Sequence, residues 1–248
     1  MFRDPSSLFG RKERLMKECI HWLDLGLIGY DEAFSLQRRL HEGCWKGTHG
    51  DAVLFQENQP VITLGRSGRE EHLLWTPERL EAAGIEVREV GRGGDVTYHG
   101  LGQIVISPIL HFRRYVSTAL DYLRALEETV IRLLAGYGLA AGRIEGKTGV
   151  WAGGLKVAAA GVAVSHGITM HGLAVNIRPD MEHFSAIVPC GLRGMGVTSL
   201  KLLGRGDLSY ARVRDDWLAA FESVFGLSAV EWDLKTAPAG TYTPTGKG

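Results

Sequence analysis

The stretch Asp95-Val96-Thr97-Tyr98-His99-Gly100-Leu101-Gly102-Gln103-Ile104-Val105-Ile106-Ser107-Pro108 decides the fold. Asp95–Tyr98 and Gln103–Pro108 read as two short strands, with Gly100 and Gly102 supplying the turn between them. Upstream, Ala52–Gln56, Val61–Leu64 and Ile85–Val90 read as further strands. Thr76-Pro77 marks an N-cap and first turn between the last two, and Gly84 ends that short helix. Downstream, Ala159–Val164 and Gly172–Ile177 add two more strands. Helices fall at Tyr30–Leu40, after the apolar run Trp22–Ile28, at Ala119–Ala135, and at Tyr210–Val224 behind Ser209. The middle one carries Leu120, Leu123, Leu126, Val130, Leu133 and Leu134 as its apolar stripe, with Thr118 and Asp121 at capping-box spacing. Few helices among many glycine-bounded strands predict an α+β domain with a mixed or antiparallel sheet. The regular strand–helix alternation of a doubly wound fold is missing.

Composition narrows the function classes. The chain has 248 residues, 45% hydrophobic and 23% charged, with 28 basic residues against 28 acidic ones. That length buries a substantial core in one domain, and the charge balance gives no warrant for nucleic-acid binding. The reading is an N-terminal extension 1–20, a single catalytic domain 21–233 and a C-terminal tail 234–248. No signal peptide or membrane span is apparent, so the expectation is a cytoplasmic protein with no membrane association, and a monomer. Cys19, Cys44 and Cys190 form neither a disulfide framework nor a CxxC pair.

More than half of the 33 glycines fall in segments 91–102, 142–172 and 190–206, where function is expected. In Val188-Pro189-Cys190-Gly191-Leu192 a cysteine stands on a Pro–Gly turn that could display its sulfur, or it is a small buried hydrophobe. Lys156 lies in Gly153-Gly154-Leu155-Lys156-Val157-Ala158-Ala159-Ala160-Gly161, an almost wholly small or apolar setting. Its amine either snorkels to water or stays in a pocket as a proton shuttle. Gly91-Arg92-Gly93-Gly94-Asp95-Val96-Thr97-Tyr98-His99-Gly100 forms either a strand turn or an anion cradle, and matches neither the Walker pattern nor GxGxxG. His171, before Gly172, either positions a substrate or satisfies a buried turn. His99, His166, His171, His183 and Cys190 lack HxH, HExxH or CxxC spacing, so no metal is expected. His21, His41, His49, His72 and His111 have no distinctive context.

Six segments together resemble the lipoyl(octanoyl) transferase family: Thr63-Leu64-Gly65-Arg66, Glu71-His72-Leu73-Leu74, Arg92–Gly100, Gly154-Leu155-Lys156-Val157-Ala158, His171-Gly172-Leu173-Ala174-Val175-Asn176 and Pro189-Cys190-Gly191. The resemblance spans roughly residues 22–226. It implies a biotin/lipoate protein ligase fold with an apolar acyl tunnel and no cofactor. It also implies transfer of an octanoyl group from acyl carrier protein to a lysine of 2-oxoacid dehydrogenase lipoyl domains or of glycine-cleavage H protein. Carried over by position, Cys190 matches the nucleophile and Lys156 the catalytic lysine. The substrate contacts fall on Arg92, Gly93, Gly94, Asp95, Val96, Thr97, Tyr98, His99 and Gly100, on Lys156, Val157 and Ala158, and on His171, Gly172, Leu173 and Ala174. Arg66, Arg92, Arg193 and Lys201 are expected to dock acidic carrier domains. The chain departs from the family pattern at Leu101, where a proline is usual, and at Glu57-Asn58-Gln59-Pro60, which replaces Glu-His-Pro-Pro. Two rivals remain at this level: an ATP-dependent lipoate or biotin protein ligase, and a noncatalytic lipoyl-domain or acyl-carrier binding module.

Overall fold

A computed structural model describes residues 19–188 and 196–232. Ten strands run in chain order as β1 (Cys19–Ile28), β2 (Ala52–Asn58), β3 (Val61–Leu64), β4 (Glu86–Glu89), β5 (Val96–His99), β6 (Gln103–Ile109), β7 (Val150–Ala152), β8 (Leu155–Ser165), β9 (Ile168–Asn176) and β10 (Ser228–Glu231). The helices are α1 (Tyr30–Lys46), α2 (Pro77–Ala82), α3 (Ala119–Gly136) and α4 (Tyr210–Phe225). Seven strands form one sheet in the order β10-β1-β2-β6-β9-β8-β7, and three form a second, β4-β3-β5. In the large sheet β10, β1 and β2 are parallel while β2 through β7 are antiparallel, so it is mixed.

Alternation along the strands builds a core on each face. In β2, Val53 and Phe55 point to the side covered by α3 and α4, and Ala52 and Leu54 to the side covered by α1. β6 repeats this with Ile104 and Ile106 against Ile109. The first core takes in Leu126, Val130 and Leu133 of α3 and Trp217 and Phe221 of α4; the second takes in Ala33, Leu36 and Leu40 of α1. Ile62, Val96, Tyr98, Trp75 and Ile187 form a separate core beneath the small sheet.

Local chemistry sets the helix ends. Thr76 accepts a hydrogen bond from Arg79 N–H with Pro77 in the first turn, Thr118 and Asp121 cap α3 reciprocally, and Ser209 accepts from Arg212 N–H. Each cap satisfies an amide that the first helical turn leaves without an intrahelical partner. Three features differ from the sequence expectation. Leu120 is 60% exposed, and Tyr122 takes the core position on α3 instead. The run Trp22–Ile28 belongs to a strand beginning at Cys19, which brings Cys19 and Ile20 of the expected extension into the sheet. β7 and β10 carry no alternation long enough to announce themselves. Residues 1–18 and the tail from 233 lie outside the described residues.

One buried carboxylate holds the segment leading into β7. Glu127 of α3 is fully buried and accepts from Arg124 (2.7 Å), Arg143 (3.1 Å) and the amide of Gly149 (2.8 Å). Removing it leaves that amide unpaired and takes the carboxylate from Arg124, while Arg143 keeps Glu128 (3.0 Å). The arginines are partly exposed, so water offsets part of the loss. Glu127→Ala should therefore lower stability by about 2–4 kcal/mol. Urea unfolding checks this, and an unchanged midpoint would remove the role.

Candidate active site

Two glycine loops interlock above the large sheet. Gly65, Arg66 and Ser67 donate their amides to the carbonyls of Asp95 (3.1 Å), Arg92 (3.0 Å) and Gly94 (3.1 Å). A Cβ on Gly65 would overlap the Gly94 oxygen, which explains glycine in Thr63-Leu64-Gly65-Arg66. The Arg92 guanidinium turns back onto Thr63, donating to its carbonyl (2.7 Å) and hydroxyl (2.9 and 3.2 Å). Gly93 N–H reaches across to the Val162 carbonyl on β8 (3.0 Å). Arg92 is only 8% exposed, so it is no surface docking charge as expected from sequence; Arg66 and Lys201 are exposed, and Arg193 lies outside the described residues.

Beneath this roof a cavity of about 680 Å³, open mouth included, lies over β2, β6, β9 and β8. From the expected set, Arg92, Gly94, Asp95, Val96, Thr97 and His99 line it from above. Lys156, His171, Gly172, Leu173 and Ala174 line it from the sheet. The other expected residues turn elsewhere. The Tyr98 hydroxyl meets His183 Nδ1 at 2.7 Å in the small-sheet core, and Gly100 backs directly onto that ring. Val157 and Ala158 are fully buried in the core shared with α3. Gly93 spends its amide on β8. Sequence reasoning missed the cavity's other walls, notably Tyr30, Gln37, Gln56, Val105, Ser107 and Ala159. Asn58, noted from sequence only as a departure from the family pattern, also lines the cavity. An apolar tunnel was expected; the wall is apolar at Val96, Val105, Ala159 and Ala174 but polar at Gln37, Gln56, Asn58 and Ser107.

Lys156 stands where two cavities meet. Its residue is 7% exposed, with Nζ 4.8 Å from the centre of the Trp151 ring. It lines the large cavity and a smaller one of about 320 Å³ shared with Ile187 and Val197. Its backbone N–H donates to Gly196 O (3.0 Å), and its carbonyl accepts from Thr198 N–H (2.9 Å). A Cβ at Gly149 would overlap the Ala158 carbonyl oxygen and lie 3.5 Å from Lys156 Cε, so the backbone there runs close beside the lysine stem. On the other flank, Val188 N–H donates to the His72 carbonyl (2.9 Å) and Leu74 N–H to Ala186 O (2.7 Å). The segments on both sides of residues 189–195 are thus anchored beside Lys156 and the roof loop. Cys190 itself, with Pro189, Gly191 and Leu192, lies outside the described residues.

His72, read from sequence as ordinary, donates from Nδ1 to the Asp95 carboxylate at 2.7 Å and, through its carbonyl, ties the roof to the segment before residue 189. Only its place inside a family segment hinted at this. A buried polar chain supports the opposite wall. His99 Nδ1 donates to Gln103 Oε1 (3.3 Å), Gln103 Nε2 to Asn176 Oδ1 (2.9 Å), and Asn176 Nδ2 to Thr198 O (2.9 Å). That pattern leaves His99 Nε2 as the unprotonated nitrogen. Burial first, and the Arg92 charge second, push its pKa down to about 3. His171 adopts φ 58°, stacks on Phe34 at 5.4 Å and takes Gln37 Oε1 on its backbone N–H (3.1 Å). Burial, then Arg92 and Arg66, push its pKa down to about 4. Both imidazoles are neutral near pH 7. Among the described residues, no group of three or more His, Cys, Asp or Glu could hold a metal ion, and no helix is long and apolar enough to cross a membrane.

Residues 29–222 match the lipoyl protein ligase A/B catalytic domain. An octanoyltransferase of Chloroflexus aggregans is 45% identical, over 83% of this chain and 95% of its own length. One of Acidobacterium capsulatum is 41% identical, over 84% and 90%. Among solved structures, lipoate-protein ligase A bound with ATP superposes with a TM-score of 0.68 at 19% identity, covering 89% of this chain and 91% of the other. A bi-partite lipoate protein ligase from Thermoplasma acidophilum gives 0.66 at 18% identity, covering 89% of each. At that identity the two structures establish the shared fold.

The neutral histidines make acid stability testable. The unfolded chain protonates each near pH 6.5, the folded one only near 3 and 4. Their stabilisation is fully present above pH 6.5 and is lost as pH falls toward 4, because the unfolded state then binds more protons. His171→Asn, which tolerates the same φ, should reduce the slope of stability against pH in that window by up to ~1.4 kcal/mol per pH unit. Denaturant melts from pH 7 to 4 measure it; parallel slopes in both proteins would show that His171 titrates normally.

Proposed function

The chain belongs to the octanoyltransferase family, and from that premise we propose how it moves an octanoyl group from acyl carrier protein to a lysine of lipoyl domains or of glycine-cleavage H protein. The Cys190 thiolate attacks the carrier thioester. Backbone donors stabilise the tetrahedral oxyanion, and the carrier's pantetheine thiolate leaves with a proton supplied by Lys156. An octanoyl thioester now joins Cys190. The acceptor lysine enters as a neutral amine and attacks the same carbonyl; the C–S bond breaks as the amide forms, and Lys156 takes the ammonium proton. A thioester is exchanged for an amide, so the reaction runs downhill without ATP.

The observation that carries this reading is the convergence of Lys156 with both flanks of the cysteine segment. Ile187, three residues before Cys190, shares a cavity with Lys156, and Gly196, six residues after it, accepts the Lys156 amide proton. The adjoining cavity suits the chain, since each buried CH₂ contributes about 0.8 kcal/mol and seven carbons follow the carbonyl. His99 and His171 remain uncharged beside it, which keeps the wall compatible with an acyl group. Tyr98, Val157 and Ala158 support the cavity from behind instead of touching substrate. The two readings left open by the sequence, an ATP-dependent ligase and a binding module without turnover, give way to the octanoyltransferase on the identity to its relatives.

Incubating the protein with octanoyl-carrier and an apo lipoyl domain, without ATP, followed by intact-mass measurement, separates these readings. Wild type should acylate the acceptor, and an octanoyl adduct should appear on the enzyme when acceptor is withheld. Cys190→Ala should lose the adduct and nearly all turnover, while Lys156→Ala should slow one or both transfers by about 10²–10⁴-fold. Strict ATP dependence would favour the ligase; transfer by Cys190→Ala at the wild-type rate would overturn the covalent mechanism.

A further inference from the structure

The turn before Lys156 fixes what lies beneath its side chain. Gly153 and Gly154, at φ 58° and 80°, make a two-residue reversal between β7 and β8, a backbone that glycine adopts without strain. A loop of that length sets Ala152 opposite Leu155 and therefore Trp151 opposite Lys156. Directly opposed side chains share a face and stand about 5 Å apart at Cβ. The run Trp151-Ala152-Gly153-Gly154-Leu155-Lys156 thus carries the lysine stem across the indole. Lys156 Nζ lies 4.8 Å from the ring centre, within the range in which the negative face of an aromatic ring attracts an ammonium.

The ring is a fixed platform. Trp151 is 4% exposed, and its backbone N–H and carbonyl exchange two hydrogen bonds of 2.9 Å with Gly142. It lines neither of the two cavities that meet at Lys156, so it acts on substrate only through the lysine. Its Nε1 is buried without a hydrogen-bond partner among the described residues. A buried indole N–H ordinarily finds an acceptor, and an aliphatic side chain would fill the position without that loss. What the indole adds in return is its electron-rich face, and Lys156 is the cation above it.

We propose that Trp151 is a positioning residue for proton transfer, holding the Lys156 amine where the two cavities meet and stabilising the charge that returns to it as the amide forms. In the first transfer Lys156 gives its proton to the departing pantetheine thiolate, and positive charge leaves the ring face. In the second, the attacking amine becomes an ammonium and its proton passes to Lys156 Nζ. The C–S bond to Cys190 breaks, and positive charge builds above the ring. Only an interaction that is stronger in the transition state than before it accelerates a step, so the indole speeds the second transfer and not the first. This rests on the reading of Lys156 as the proton carrier.

Site-specific replacement of Trp151 by mono-, di- and tetrafluorotryptophan provides the test, because fluorine drains the negative face of the ring while nearly keeping its shape. Single-turnover rates are read for acylation of the enzyme by octanoyl carrier, and for amide formation when purified octanoyl-enzyme meets apo lipoyl domain. The second rate should fall stepwise along the series, by about tenfold in all, the scale of one cation–π contact partly shielded from water. The first should not fall. The same analogues at Trp217, whose ring stacks on Phe221 in the core, should change neither rate. A second-transfer rate that stays the same along the Trp151 series overturns the inference, as does an equal fall in both rates, which marks a packing role. Transfer by Lys156→Ala at the wild-type rate in both steps brings down the parent reading and the inference with it; slow transfer by Lys156→Ala with no fluorine dependence removes Trp151 alone.

Discussion

The Arg92 guanidinium is the constraint on which the rest of the site depends. Buried beneath its own loop, it binds the carbonyl and hydroxyl of Thr63 on β3, the central strand of the small sheet. The adjoining Gly93 amide fastens the same loop to β8 of the large sheet. One side chain and one amide thereby hold two sheets at a fixed separation, and the cavity is the space between them. The same charge acts electrostatically, helping to keep His99 and His171 neutral. A roof fastened by hydrogen bonds to backbone is stiffer than one held by apolar contact alone, because the guanidinium fork allows few orientations.

A roof alone makes no cavity if side chains fill it from below. Across the β8–β9 ladder, Ala159 faces Ala174 and Gly161 faces Gly172. These pairs occupy the face where strands elsewhere carry Leu54 and Ile109. Small residues at two successive same-face positions leave the cavity open beneath the roof. The opposite face of the same strands is filled by Val157 and Val175 against α3 and α4, so the missing volume is confined to one side. Gly172, at φ 151° and against the Ile106 carbonyl, shows how closely the backbones approach there. The α3/α4 face is packed throughout, and the α1 face is packed at Leu54 and Ile109 but open over β8 and β9.

What was legible in the sequence was what depends on neighbours along the chain. Thr76-Pro77, Thr118 with Asp121, and Ser209 are helix starts because their partners lie three residues away, and all three form. Strand β3 and the loop glycines were equally plain. β10 was hidden because its support is parallel pairing with β1, some two hundred residues distant. Leu120 was misplaced because a helical stripe drawn from apolar residues alone overlooks Tyr122, whose ring suits the core better. At the site, the glycine loop was visible but the direction of Arg92 was not: Thr63 became its partner only when β3 and β5 paired. His72 lacked context because Asp95 lies 23 residues on. Gln56 and Ser107 looked like ordinary polar interruptions of two strands, since no local pattern tells which face a small-residue trough will leave uncovered.

The roof loop also bears on how one fold serves two chemistries. An acid-activating ligase must hold a nucleotide's phosphates, and glycine-loop amides and arginines are the groups suited to that task. In this chain the Gly93 amide is bound to Val162 and the Arg92 fork to Thr63, so donors that would face an anion are turned into the protein. Their work here is mechanical. Activation must then come from a substrate that is already activated, and a thioester meets that requirement if a nucleophile waits at the cavity mouth. The polypeptide approaches that mouth from both sides, through Val188 bound to His72 and Gly196 bound to Lys156. His72 is in turn held by Asp95 of the roof loop. The roof loop and the segments that flank residues 189–195 are therefore one hydrogen-bonded assembly, so on the proposed reading a change in the roof would be felt beside Lys156.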